Sequence, residues 1–405
     1  MHHSALAEVR FRRYFPASIF SSLGSWMLRF LFGWSAWELT HSAAWVGVVA
    51  GLMLAPALVL SPVFGILADR VNPRFGLIIS MVFHATIALI GGLAMIYGLY
   101  SLTTLLILAL AMGVGLSGHT PMRLALIPLL VGRDALPSAV GLSAMTFNSA
   151  RIVGPAIGAW VLSISGSAEA YLLAALMFTV SLLILSTLSG IGGREPKPRE
   201  PFLQQFRAGL AYVYTHPGLR LIFAFTVVNG LLGRTVIELL PAVSGQLIAG
   251  DSGDLAVLTA FAGAGSIVGG LIVSRQRAQL KRLLLLIAVA LIIGALVLVG
   301  LRLAASLWGL CVAVSILALT TTMCGTGAQT LTHLSVEEDY RGRVLSLWAV
   351  VAMVAPAAGT FVIGALADWL GFIGVLTITG GLGVLLVSLL YARRRELLDE
   401  SPSAS

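Results

Sequence analysis

The chain of 405 residues is 58% hydrophobic and only 10% charged, with 25 basic against 17 acidic side chains and a net charge of +8; its mean hydropathy is +0.97. An ordinary soluble domain carries about a quarter of its residues as charges, so this composition excludes one. The apolar runs are also far longer than the ~10-residue alternating strands of a membrane β-barrel, which leaves a bundle of membrane-spanning helices.

A spanning helix needs roughly 20 apolar residues, and charged or turn-rich breaks divide the chain into about twelve such segments. In chain order they are predicted over 14–38, 44–68, 75–98, 102–128, 139–165, 168–190, 218–245, 254–275, 282–301, 306–332, 343–367 and 372–392. Arg10, Arg12 and Arg13 precede a run too long for a signal-peptide core, so that run reads as the first span. Between spans two and three lies Gly65-Ile-Leu-Ala-Asp-Arg-Val-Asn-Pro-Arg74. Its charges belong at a membrane surface, because burying them in lipid is costly; Asn72 is read as a residue that tolerates a left-handed backbone. Span five carries Gly141, Ala150, Gly154, Pro155, Gly158 and Ala159, a proline kink beside a flat face of small residues that lets a neighbouring helix approach closely. The one long polar interruption, 193–217, divides the chain into an N-terminal half (1–192) and a C-terminal half with its tail (218–405). Span ten is rich in threonine and contains Gln329. Residues 364–368, Gly-Ala-Leu-Ala-Asp, copy 65–69 but fall at the opposite surface, where Asp368 reads as a simple outer charge. Cys311 and Cys324 share span ten, roughly 20 Å apart along the helix, and cannot bridge each other.

With the N-terminus in the cytoplasm, 20 of the 25 Lys and Arg fall in cytoplasmic segments or at the span ends that border them. This positive-inside bias also accounts for the basic net charge, so nucleic-acid binding is not needed to explain it. Both termini are expected on the cytoplasmic side of the inner membrane.

The halves repeat. A shift of 201 lays Gly141, Pro155, Gly158 and Val161 on Gly342, Pro356, Gly359 and Val362. A shift of 205 lays Gly65 and Arg70 on Gly270 and Arg275. Parallel repeats of this kind relate two six-helix halves, with substrate sites near the midplane between them.

These motifs resemble the major facilitator superfamily. Gly65, Asp69, Arg70 and Arg74 fit its Gly-x-x-x-Asp-Arg-x-Gly-x-Arg loop, with Asn72 in place of the second glycine. Gly141, Gly154, Pro155 and Gly158 fit the exporters' helix-five motif, with Ala at 150 and 159. The stretches His119–Pro128, Arg133–Gly141, Arg151–Pro155 and Asp339–Ser346 are similar to the branch that contains the enterobactin exporter, macrolide efflux proteins and transmembrane secretion effectors. The resemblance implies an all-α membrane protein of twelve transmembrane helices in two six-helix halves. It further implies a monomeric secondary transporter of the cytoplasmic membrane that exports a small molecule, a siderophore or a drug, by proton antiport. Gly65, Asp69, Arg70, Arg74, Arg341 and Arg343 would form a cytoplasmic gate, with Asp69 against the positive end of helix eleven near Val344.

In that fold, helices one, four, seven and ten line a central cavity. An intramembrane charge costs about 2.5–3.5 kcal/mol on insertion scales, so arginines inside spans face a cavity or a partner. Arg29 and Arg234 lie well inside spans one and seven and are related by the shift of 205. They are candidates to clamp a carboxylate, which guanidinium binds bidentately. Glu238 lies one turn after Arg234, either as its local ion-pair partner or as a titratable group for proton coupling. Trp26, Trp34 and Gln329 are candidate substrate contacts. His119 and Arg123 are read as packing or gating residues of span four.

Competing classes lack their signatures. There is no His-Glu-x-x-His, Gly-x-Ser-x-Gly or metal-spaced Cys/His cluster, and no Gly-x4-Gly-Lys-Ser/Thr for an ATP-driven pump. No cofactor or metal is expected. Efflux of cationic drugs or macrolides, and import of a small anion, stay open as alternatives; two arginines against one acid favour an anionic, carboxylate-siderophore-like substrate. The expected partners are that small molecule, protons and the lipid bilayer.

Overall fold

The computed structural model describes residues 4–188, 202–276, 280–304 and 306–393, in two compact units: residues 1–40 with 49–198, and residues 41–48 with 199–405. Unit 1 holds α1 (Val9–Thr40), the body of α2 (Ala43–Arg70), α3 (Pro73–Ile96), α4 (Leu102–Leu130), α5 (Leu136–Ser165) and α6 (Ser167–Ser186). Unit 2 holds α7 (Phe202–Thr215), then α8 (Pro217–Asn229), a π-helical turn (Gly230–Arg234), α9 (Thr235–Glu238) and α10 (Leu240–Ile248). It continues with α11 (Ser252–Ser274), α12 (Leu280–Gly300), α13 (Leu307–Ser335), α14 (Glu338–Leu370) and α15 (Phe372–Ala392), and it includes the first turns of α2.

Nine helices among the described residues are long and apolar enough to cross a membrane. α1, α2 and α5, of 32, 28 and 30 residues, are long enough as well. Every backbone amide within such a helix is satisfied internally, which is what lets it stand in lipid. The buried faces meet other helices, while rows such as Ile107 and Leu110, Ile293 and Leu296, and Leu382 and Leu385 stay exposed, as a lipid-facing surface requires.

The polar segment expected over 193–217 is not wholly irregular. Its residues 193–201 lie outside the described residues, but Phe202–Thr215 form α7, which packs on the start of α14. There Tyr212 stacks on Tyr340, ring centroids 4.3 Å apart.

Helix ends reveal the duplication more clearly than side-chain identities do. Ser101 caps α4 through Thr104 N, and Ser306, 205 residues on, caps α13 through Gly309 N. The C-caps Val131 and Val336 are likewise 205 apart and both extended. Gly166 (φ +107°) and Gly371 (φ +84°), also 205 apart, are the single-residue turns joining α5 to α6 and α14 to α15. Both need the positive φ that glycine supplies at no steric cost.

Packing corrects the register expected for α5 and α14. A Cβ on Gly154 would lie 2.9 Å from Trp26 Cβ, whereas one on Gly359 would press on Leu231 and Thr235. Gly154 and Gly359 are 205 apart, as are Trp26 and Leu231, so the shift of 205 holds throughout. The matches at 201 are one helical turn out: small residues spaced by four occupy the same helix face, so either register aligns them.

Asn72 is also corrected. Its φ is −63°, not left-handed, and its side chain caps α3 by accepting from Arg74 N at 3.0 Å. Cys311 and Cys324 are both buried and free.

A hydroxyl chain in unit 1 ties α1, α6 and the connection between α3 and α4 together: Ser35 to Tyr171 at 3.0 Å and Tyr171 to Tyr100 at 2.7 Å. Tyr171 is fully buried. Tyr171→Phe should leave two partners short of a bond and cost about 1–2 kcal/mol. A fall of a few degrees in the detergent melting temperature would check this, and an unchanged temperature would show the chain to be energetically idle.

Candidate functional site

In unit 1, α1 and α5 touch backbone to backbone because glycine stands at the crossing. Cβ atoms on Gly154 and Gly158 would meet Leu23 O at 3.0 Å and Met27 Cγ at 3.1 Å, and Ala150 and Ala159 are buried in the same face. α5 runs through Pro155 without a break. Gly141 takes no part; a Cβ there would meet nothing within 4 Å.

This crossing sets up a row of two rings with a cation at each end. The Arg29 guanidinium lies over Trp26 at 5.3 Å, Trp26 meets Phe147 edge-on at 5.6 Å, and Arg123 lies over Phe147 at 5.2 Å. Phe147, on α5, is 38% exposed. Sequence reasoning missed it, for nothing marks one phenylalanine of 17 until α5 is docked on α1. A guanidinium held over a ring face can still offer N–H donors to a carboxylate or phosphate.

Beyond Arg123 the row passes into the interior. His119 meets His84 edge-on at 6.0 Å, and His84 stacks on Phe178 at 5.3 Å. His84 donates Nδ1–H to Ser80 O at 2.6 Å, which leaves its Nε2 as an acceptor; that atom, His119 Nδ1 and Arg123 Nε are buried without hydrogen-bond partners among the described residues. Trp34, expected at the substrate, is instead only 7% exposed.

In unit 2, the counterpart of α1 is broken. The π-turn Gly230–Arg234 adds a residue to the helical turn just before Arg234, and a second irregularity follows at Leu239, before Pro241. Such π-turns recur at functional sites. Thr235 Oγ1 stabilises the bulge by donating to Gly230 O at 2.8 Å. Two glycines lined up with Pro241 were the signal available in the sequence. Arg234 and Glu238 form an ion pair, Nη2 to Oε1 2.8 Å, with 21% and 17% of each side chain exposed. The local-pair alternative is therefore the arrangement present. Asn229 Nδ2 donates to Thr321 O on α13 at 3.3 Å while its Oδ1 stays buried without a partner. Gln329, also on α13, is exposed.

The gate residues divide. Gly65, Asp69 and Arg70 are helical, and their surroundings lie outside the described residues. Arg74 holds the end of α6: Nε and Nη2 donate to Leu185 O (3.1 Å) and Ser186 O (2.6 Å), a cation on the last carbonyls of a helix. Arg341 and Arg343 stand in the first turns of α14, Arg343 over Tyr340 at 5.6 Å, beside the fully buried Val344.

Among known proteins, the sequence profile of the family described as transmembrane secretion effector matches residues 2–403. An enterobactin exporter of Shigella boydii is 30% identical over 88% of this chain and 86% of its own length. A macrolide efflux protein A of Streptococcus pyogenes is 24% identical over 82% and 83%. A staphyloferrin A transporter of Staphylococcus aureus is 23% identical over 65% and 66%. A bacterial homologue of the human lysosomal transporter Spinster, solved in an inward-facing conformation, superposes with a TM-score of 0.75 over 98% of this chain and all of that one. The nucleoside transporter NupG gives 0.70 over 95% and 99%. Both structures are 15% identical and speak for the fold alone.

Proposed function

Since the chain belongs to the transmembrane secretion effector family of the major facilitator superfamily, and is thus a multi-pass membrane transporter of small molecules, we propose that it exports a small organic anion across the cytoplasmic membrane. The observation that carries the anionic reading is the row Arg29–Trp26–Phe147–Arg123: two guanidinium groups laid on two rings. Rings accept the flat parts of a ligand and guanidinium edges its carboxylates. The relatives that transport enterobactin and staphyloferrin support a siderophore-like substrate. The macrolide efflux relatives support the rival, a large apolar drug taken by the same rings.

In unit 2, Arg234 is proposed to offer its guanidinium to an anion, and Glu238 to be the titratable group beside it. Their pairing fixes a sign. An anion that draws on the Arg234 guanidinium weakens its hold on Glu238 and makes that carboxylate a better proton acceptor, so at this pair proton and anion bind together. Proton antiport then needs a second proton-binding group, whereas the inside-negative potential alone favours outward movement of an anion by about 2.3 kcal/mol per charge per 100 mV.

The test is deletion of the gene followed by mass spectrometry of secreted metabolites under iron-replete and iron-starved growth. Loss of one acidic metabolite from the medium, with its accumulation inside, is the expected outcome; an unchanged secretome with heightened macrolide sensitivity would favour the drug reading. Proteoliposomes loaded with that metabolite then separate the driving forces, through an imposed potential or an imposed pH step. For topology, reporter fusions after Arg194 and Arg395 should read cytoplasmic and one after Asp251 external; an external signal at 194 would overturn the orientation.

A further inference from the structure

The segment Gly364-Ala-Leu-Ala-Asp368 at the end of α14 copies Gly65-Ile-Leu-Ala-Asp69 at the end of α2. The duplication does not explain the copy, because 205 residues separate Asp69 from Ser274 and Ser163 from Asp368. Contacts within unit 2 supply a reason. Asp368 is not a bare surface charge. Its Oδ1 accepts from Ala43 N at 3.1 Å and from Gln246 Nε2 at 3.5 Å, and its Oδ2 accepts from Ala44 N at 3.2 Å and, in a short contact, from Ser42 Oγ. It thus caps the N-terminus of α2 from another helix, meeting free amides and the positive end of the helix dipole with a carboxylate. Glycines let the two backbones come close enough for this. A Cβ on Gly364 would strike Ala43 O, and one on Gly47 would lie 2.6 Å from Phe361 Cα and 2.8 Å from Thr360 O.

We propose that Gly364 and Asp368 form an outer latch: a detachable cap that clasps the first turns of α2 to the end of α14 and keeps the outward pathway shut. The first eight residues around this helix start group with unit 2, while residues 49–70 of the same helix belong to unit 1. A transporter that opens outward between its halves has to release the cap. The contact suits a reversible device, since its acceptor is solvent-exposed and its donors are satisfied by water on release. This inference rests on the transporter reading but on no particular substrate.

Accessibility tests it without a substrate. Val46, only 2% exposed on the clasped turn, is replaced by cysteine in a background with Cys311 and Cys324 changed to alanine. Labelling by a membrane-impermeant maleimide is followed in cells and in purified protein. Asp368→Ala should raise the rate several-fold, and Asp368→Asn less, since an amide still offers one acceptor oxygen. A disulfide between Ser42→Cys and Asp368→Cys should form on mild oxidation and depress labelling below the parent, with recovery on reduction. Parent rates in Asp368→Ala protein that elutes as a single folded peak would overturn the latch. Should that variant not fold, a disulfide that never forms, or that leaves labelling unchanged, overturns it instead. Either failure leaves the exporter reading standing, because that is decided by the secreted metabolite.

Discussion

Replacing Arg29 or Arg234 by glutamine is expected to weaken binding of the anionic substrate by about 10- to 100-fold, the loss of one charged hydrogen-bonded contact of roughly 1.5–3 kcal/mol. Lysine should rescue poorly, because a point charge does not reproduce the two-pronged edge of the guanidinium that Arg29 holds over Trp26 at 5.3 Å. The ion pair adds a test of opposite sign. Glu238 holds Arg234 at 2.8 Å and therefore competes with the anion for it. Glu238→Gln should bind the anion several-fold more tightly than the parent, while proton uptake on binding disappears. Titration calorimetry in buffers of different ionisation enthalpy reads affinity and proton number together. Parent affinity in both arginine variants would reduce them to structural charges and remove the anion from the proposal. Weaker binding in Glu238→Gln would make Glu238 a substrate contact rather than a competitor.

Gly154→Leu is expected to abolish transport, while Gly141→Ala should leave it intact. Both glycines belong to the same helix-five motif, so the contrast depends wholly on packing. At 154 a Cβ would lie 2.9 Å from Trp26 Cβ, 3.0 Å from Leu23 O and 3.1 Å from Met27 N. Two of those three atoms are backbone, which cannot rotate away, so a larger side chain must push α1 off α5. Overpacking of this kind costs about 1–3 kcal/mol of stability. The larger consequence falls on Trp26 and Arg29, which ride on the displaced helix, and transport should drop by more than tenfold even where the protein still folds. At 141 a Cβ meets nothing within 4 Å, and alanine there should stabilise the helix by up to about 1 kcal/mol. The measurements are initial rates of export in proteoliposomes and melting temperatures in detergent. Equal tolerance at both positions would show that α1 and α5 separate freely and that the crossing does not position the site.

Long apolar runs broken by charge were enough for the sequence alone to determine twelve spans, two halves and the location of Arg29, Arg234 and the helix-five glycines. Each of these is a local property: hydropathy over twenty residues, a proline beside glycines, an arginine where lipid forbids one. The Arg234–Glu238 pair was legible too, because an i, i+4 spacing puts two side chains on one helix face. What depends on one helix meeting another was not legible. The repeat register was ambiguous by four residues because one helical turn returns small side chains to the same face, and only the contacts of Gly154 with Trp26 and of Gly359 with Leu231 choose 205 over 201. Phe147 joins the row of Arg29 and Trp26 only through the crossing of α5 on α1, the burial of Trp34 shows only once its helix is packed, and so does the hold of Arg74 on the last carbonyls of α6. Asp368 read as a surface charge because its four donors lie more than a hundred residues away in sequence. Periodicity records which face of a helix is apolar; which helix that face meets, and at what height, is fixed by the tertiary structure.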